Sequence, residues 1–270
     1  MYIYALILGI VQAITEFLPI SSSGHLVVLH EFLQFNLGDN VAFDVALHFG
    51  TFFAILIYFR ADVKKYIVAL LNVFRKKAVV DQMDLKTVLN IFYATIPAVI
   101  LGVLFNDMIE NSLRSPWVIV ITLTVGAILF FLIEKFAKKT REYTGLGFGR
   151  SLYIGLAQAL ALIPGLSRSG MTIVAGMSLK LKREDAAKFS FLIGLPVMFA
   201  AGSYKLLSFD WAVITNSERG MFFIGFLVSG VLGFFVIKFL LGYLKNHSLR
   251  VFAWYRLGLA AVLLVLLLWR

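Results

Sequence analysis

Stretches of about 20 apolar residues, each long enough to cross a bilayer, follow one another along this chain. Two of them are broken in the middle by proline, serine and glycine. A chain patterned in this way must satisfy its backbone inside helices, because lipid offers no partner to a free N–H or C=O. The expectation is an all-α polytopic membrane protein. Six runs read as full spans: 46–59, 88–105, 116–133, 189–207, 221–241 and 251–269. The composition agrees, with 60% hydrophobic and only 15% charged residues. The first 20 residues lack a basic start and a small-residue cleavage site, so they are expected to be mature protein. There is no cysteine, which excludes disulfides, thiolate metal sites and cysteine nucleophiles.

The net charge of +10 could point to nucleic acid, but the basic residues sit in short loops between apolar runs, so no nucleic-acid partner is expected. Segments 60–86, 134–150, 180–188 and 238–250 carry 7, 5, 4 and 3 Lys or Arg. Segments 36–45, 106–115 and 208–220 carry 0, 1 and 1. The two groups alternate along the spans, which predicts that the rich group is cytoplasmic. Val63 to Lys77 reads as a basic amphipathic helix on that surface. Glu134, Lys135, Glu184 and Asp185 read as part of a solvated face there, and His30, Glu31 and His48 as packing or interfacial residues near helix ends.

The broken runs are 1–35, interrupted by Pro19-Ile-Ser-Ser-Ser-Gly24, and 151–179, interrupted by Pro164-Gly-Leu-Ser-Arg-Ser-Gly170. Such breaks survive only inside protein or beside a wet cavity, so both are expected to be re-entrant helix–loop–helix hairpins. They also resemble each other. At an offset of 146, Gly9, Gln12, Ala13, Ser21, Ser23 and Gly24 fall on Gly155, Gln158, Ala159, Ser167, Ser169 and Gly170. Each hairpin is followed by three spans. An odd number inverts the second half, which gives an inverted-topology repeat: 1–133, a cytoplasmic linker at 134–150, and 151–270. The site is expected where the two breaks meet near the midplane.

Ionisable residues inside a membrane require a reason. Glu16 lies just before the first break, His25 just after it, and Arg168 inside the second. The plain structural readings are an ion pair between Glu16 and Arg168, a hydrogen-bonded imidazole, and serines that cap helices. Together, however, these groups suit a phosphate. Two helices begin near His25 and Thr172, and helix N-termini attract anions. Arg168 can clamp two phosphate oxygens. Gln12, Ser21, Ser23, Ser167, Ser169 and Thr172 supply further polar contacts. The repeat sets Ser22 opposite Arg168, a hydroxyl against a guanidinium. Phosphoryl transfer needs a nucleophile in line and donors on the equatorial oxygens. Ser22 or a water is the candidate nucleophile, His25 the general base, and Glu16 either orients His25 or holds a metal.

Gln12-Ala-Ile-Thr-Glu16-Phe-Leu-Pro-Ile-Ser-Ser-Ser-Gly-His25 resembles the first signature of the undecaprenyl-diphosphate phosphatases of the bacitracin-resistance type. Pro164-Gly-Leu-Ser-Arg-Ser-Gly-Met-Thr172 resembles the second, and the likeness in length and span order covers essentially the whole chain. The resemblance implies hydrolysis of undecaprenyl diphosphate to the monophosphate and phosphate in the bacterial inner membrane. It also implies an outward-facing site, recycling of the lipid carrier for cell-wall synthesis, bacitracin resistance, and a divalent cation, Mg or Ca. In that pattern Gln12 and Glu16 fall on an acidic pair whose first member is Glu or Gln. Here it is Gln12, which leaves Glu16 as the single carboxylate for a metal. The expected partners are the polyprenyl diphosphate and membrane lipid, with a homodimer left open.

Type-2 phosphatidic acid phosphatases also carry Ser-Gly-His and Ser-Arg elements, but they need a histidine six residues after the arginine. That position is Val174, and the next histidine is His247, so their mechanism lacks its nucleophile here. A transporter or lipid flippase is the alternative reading, because inverted repeats with broken helices also build transporters. A purely structural scaffold would leave Glu16, His25 and Arg168 without a purpose.

Overall fold

The computed structural model describes residues 2–33, 40–75, 81–209 and 215–269, and these fold into helices without a β-sheet. Five helices are long and apolar enough to cross a membrane: α5 (Gln82–Leu104), α7 (Pro116–Phe136), α10 (Arg183–Ser208), α11 (Asn216–Asn246) and α12 (Arg250–Leu268). A sixth candidate is α3 (Asn40–Tyr58), which meets α4 (Arg60–Phe74) at 79°. Five of the six expected spans are therefore found, and the sixth, 46–59, falls on α3, which counts as a span only together with α4. The sharp turn at Phe59 sets α4 off from α3. Ile67, Leu71 and Phe74 stay exposed on α4. Lys76, Lys77, the side chain of Glu31, and parts of segments 36–45 and 208–220 lie outside the described residues.

The broken runs form two helical hairpins. The first is α1 (Tyr2–Phe17) and α2 (Ser22–Leu33). The second is α8 (Phe148–Leu160) and α9 (Arg168–Ser178). A short α6 (Asn106–Asn111) leads to α7, which starts with Pro116 in its first turn, where the missing N–H costs nothing. The packing pairs correspond between the halves. Helix α1 lies on α11 as α8 lies on α5, and α3 lies on α11 as α10 lies on α5. Helix α7 packs on α12, and α3 on α10.

With lipid outside, apolar burial does not drive helices together, so close backbone approach must do it. At the crossing of α3 and α11, a Cβ on Gly50 would overlap Ser229 and the carbonyl of Phe226. The Ser229 hydroxyl donates to the Leu47 carbonyl at 2.9 Å. One large apolar cluster, including Phe17, Ile55, Phe130, Phe189, Phe191 and Ile237, draws on both halves of the chain.

Glu134 corrects one expectation. It does not sit on a solvated face: its side chain is 2% exposed. Arg183 donates to its two oxygens at 2.7 and 2.6 Å, Lys139 donates at 2.7 Å, and the Leu249 amide at the start of α12 donates at 2.9 Å. A buried carboxylate needs this many partners to offset lost hydration. The result ties the ends of α7, α10 and α12 together.

Candidate active site

Each break is built around a serine whose backbone φ lies in the left-handed region. Ser21 has φ 76° and Ser167 has φ 70°. A residue with a Cβ adopts this only when something holds it there. In both cases the serine's own hydroxyl does so, accepting from an amide in the first turn of the next helix. Gly24 N donates to Ser21 Oγ at 3.2 Å, and Gly170 N donates to Ser167 Oγ at 3.2 Å. A second serine then pairs with the first, Ser23 with Ser21 at 3.3 Å and Ser169 with Ser167 at 3.2 Å. The two loops thus share one local structure at the offset read from the sequence. Two helix N-termini, at Ser22 and Arg168, follow from it.

The loops meet. Ser169 Oγ donates to the Glu16 carbonyl at 3.3 Å, and Gly165 N reaches Ser23 Oγ at 3.5 Å. The Thr122 hydroxyl donates to the Pro164 carbonyl at 2.8 Å. Gly165 has φ 91°, and a Cβ there would overlap Thr122, so this turn needs glycine twice over. Arg256 of α12 fastens the junction. It is fully buried and donates to five carbonyls: Pro19 in the first break, Gly165 and Leu166 in the second, and Thr122 and Leu123 of α7, at 2.9 to 3.3 Å. Its guanidinium also lies over the Phe130 ring, 5.4 Å from the centroid.

Glu16 is the hub at this junction. Arg168 Nη2 donates to its Oε1 at 2.9 Å, and Ser22 Oγ donates to its Oε2 at 2.7 Å. Gln12 Nε2 donates to the same Oε2 at 3.2 Å. His48 Nε2 stands 3.5 Å from it. Ser22 and Arg168, opposed by the repeat and far apart in sequence, therefore hold the two oxygens of one carboxylate. Arg168 is aimed from behind by α10: its Nη1 donates to the Ser190 carbonyl at 3.2 Å, and the guanidinium packs over Gly194, where a Cβ would overlap it.

Among the other expected residues, Ser21, Ser167, Ser169 and Thr172 are buried. The first three cap or join the loops. Thr172 donates within its helix or to Ser190 Oγ, 2.6 Å away, holding α9 against α10. Ser22, Ser23, His25, His48 and Arg168 keep part of their surface open. The His25 imidazole is not bonded to Ser22 or Glu16. Its Nδ1 lies 2.7 Å from the Ser21 carbonyl and its Nε2 2.8 Å from the Tyr255 hydroxyl.

Among the described residues, no three His, Asp or Glu side chains gather as a metal cradle. A divalent ion such as Mg needs less from the protein, taking one or two carboxylates together with substrate phosphates and waters. Glu16 and Gln12 are the residues that would hold it. Gln12 Oε1 is a buried acceptor with no hydrogen-bond partner, on the side chain whose amide donates to Glu16.

Sequence reasoning missed His48, Tyr255, Arg256 and Ser190. His48 and Arg256 carried a legible signal, an ionisable group inside an apolar run. The packing role given to His48 does not account for its place beside Glu16. Tyr255 and Ser190 carried no such signal.

The chain was compared with known proteins. Residues 5–262 match the family model described as bacitracin resistance protein BacA. Similar proteins include an undecaprenyl-diphosphatase of Rubrobacter xylanophilus, 40% identical over 98% of this chain and 97% of that protein. One from Idiomarina loihiensis is 40% identical over 98% of each, and one from Alcanivorax borkumensis is 41% identical over 96% and 97%. With its length matched almost from end to end, and with both breaks inside the match, the chain belongs to the bacitracin resistance protein BacA family.

Proposed function

We propose that this chain is an integral membrane phosphatase that hydrolyses undecaprenyl diphosphate to undecaprenyl phosphate and phosphate at the junction of its two broken hairpins. The observation that carries this reading is the shared carboxylate: Glu16 holds a serine hydroxyl on one oxygen and a guanidinium on the other. Two helix N-termini open beside them. The relatives' activity and this geometry support the same reaction.

The prenyl tail lies among the spans, and the diphosphate enters the junction. Arg168 exchanges Glu16 for phosphate oxygens, where its planar fork and the helix N-termini neutralise charge. The carboxylate so released takes the Ser22 proton along the existing 2.7 Å hydrogen bond. Ser22 Oγ attacks the terminal phosphorus in line, and the bond to the bridging oxygen breaks, releasing undecaprenyl phosphate. His25, on the first turn of the same helix, accepts a proton from the water that then cleaves the phosphoserine, and Glu16 returns the first proton to the departing Ser22 oxygen. A divalent ion, Mg or Ca, would be held by Glu16 and Gln12 with the diphosphate oxygens, and would supply further neutralisation of their charge.

We also infer that 1–133 and 151–270 are inverted repeats joined by 134–150, with the Lys- and Arg-rich ends cytoplasmic and the site opening to the outer side. The matched serine caps and matched packing pairs support the repeat. The test of function is phosphate release from undecaprenyl diphosphate by purified protein in detergent, where no transmembrane gradient exists. Wild type should turn over and Arg168→Lys should not. Lipid binding without phosphate release by wild type would favour a flippase instead.

A further inference from the structure

His25 has both ring nitrogens engaged, and the two partners dictate where its proton sits. A carbonyl oxygen can only accept, so the 2.7 Å contact with the Ser21 carbonyl requires the proton on Nδ1. In the neutral ring Nε2 is then the lone pair, and the hydroxyl of Tyr255, 2.8 Å away, must donate to it. The two rings are also nearly parallel, 13° apart with centroids at 5.7 Å. Ser21 is itself fixed by its left-handed backbone and its cap on Gly24. One face of the contact is thus set by the first break and the other by α12, from the far end of the chain. The next residue on α12 is Arg256, which ties both breaks to α7. A single helical turn therefore orients the imidazole and fixes the loops that carry it.

We propose that Tyr255 is a positioning residue for His25. Its hydroxyl hydrogen-bonds the Nε2 lone pair that the Ser21 carbonyl leaves free of a proton, and its ring holds the imidazole plane until water beside the bound phosphate replaces the hydroxyl. The Nε2 lone pair is the atom that receives the water proton, so the hydroxyl marks the place where that water binds. Tyr255 is 47% exposed, so it is not locked in the core. The proposal rests on the assignment of His25 as the base of the second step, and the test separates the two claims.

The experiment uses full-length protein in lipid nanodiscs with 15N-labelled histidine, the His25 signals being identified by their loss in His25→Gln. Wild type should show His25 with its proton on Nδ1 and a hydrogen-bonded Nε2 lone pair. In Tyr255→Phe, which keeps the ring, the Nε2 signal should move to that of an unbonded lone pair, with the proton still on Nδ1. The turnover number should fall about five-fold, the effect of one lost hydrogen bond, with KM little changed. Tyr255→Leu, which also removes the ring, should lose more turnover while the signals of the other three histidines stay in place. Unchanged His25 signals in Tyr255→Phe would overturn the proposal whatever the rate does. Altered signals with full turnover would uphold the positioning and remove His25 from the reaction.

Discussion

Arg256→Lys keeps the charge and should still be severe. The guanidinium delivers its N–H groups to five carbonyls in three segments. An ammonium has three donors on one atom and cannot span them. At least two carbonyls lose their partner. Those of Pro19, Gly165 and Leu166 are the exposed ones energetically, because no other hydrogen bond to them forms among the described residues. A buried acceptor left unsatisfied costs roughly 1–3 kcal/mol, so two of them cost about 2–6 kcal/mol. No relief offsets this, because a buried cation remains and an ammonium is the more strongly hydrated one. Equilibrium unfolding in mild detergent should show the loss. Amide hydrogen exchange should show protection falling in the Pro19 loop and the Pro164–Ser167 loop together. A stability within about 0.5 kcal/mol of wild type, with exchange unchanged in both loops, would refute the claim that Arg256 fastens the junction.

Arg168→Lys keeps a cation near the phosphate but loses the fork; kcat/KM for phosphate release should fall at least ~100-fold, about 2.7 kcal/mol of transition-state stabilisation. Near-normal turnover in a folded Arg168→Lys protein would remove it from the clamp. Gly194→Ala places a methyl group where the Arg168 guanidinium lies, so turnover should drop by about ten-fold or more, while circular dichroism in detergent shows the helices intact. His48→Phe removes the imidazole whose Nε2 stands 3.5 Å from Glu16 Oε2 and should lower turnover by about five-fold, the effect of one lost polar contact; full activity would make His48 a bystander. Ser22→Ala should abolish phosphate release while undecaprenyl diphosphate still binds, measured by equilibrium binding to detergent-solubilised protein.

Much of this architecture could be read from the order of residues. Apolar runs located the spans because lipid leaves a chain few other options. The break at Ser21–Gly24 and its match at Ser167–Gly170 were legible because the cap that forces a left-handed serine is local, made by the next few residues. The meeting of Ser22 and Arg168 followed from symmetry. Contacts made across the fold were not legible. Glu134 looked like one charge in a polar loop, yet it collects Arg183 from α10 and the α12 amide, which no local pattern announces. Tyr255 and Arg256 sit in a run that passes as an ordinary span, and their partners lie more than two hundred residues away in the case of His25 and Pro19. The direction of the His25 ring was not legible for a related reason. The spacing of Ser22 and His25 on one helix was legible, but the ring's direction is set by Ser21 and Tyr255.

The central claim is that Ser22 attacks phosphorus and water attacks the phosphoserine. The stereochemical course at phosphorus tests this most directly. Undecaprenyl diphosphate made chiral at its terminal phosphorus, with sulfur and two oxygen isotopes, would be hydrolysed in water carrying the third, and the configuration of the released thiophosphate read. Two in-line displacements invert twice, so the account predicts net retention. Net inversion would mean a single displacement by water, leaving Ser22 no covalent role.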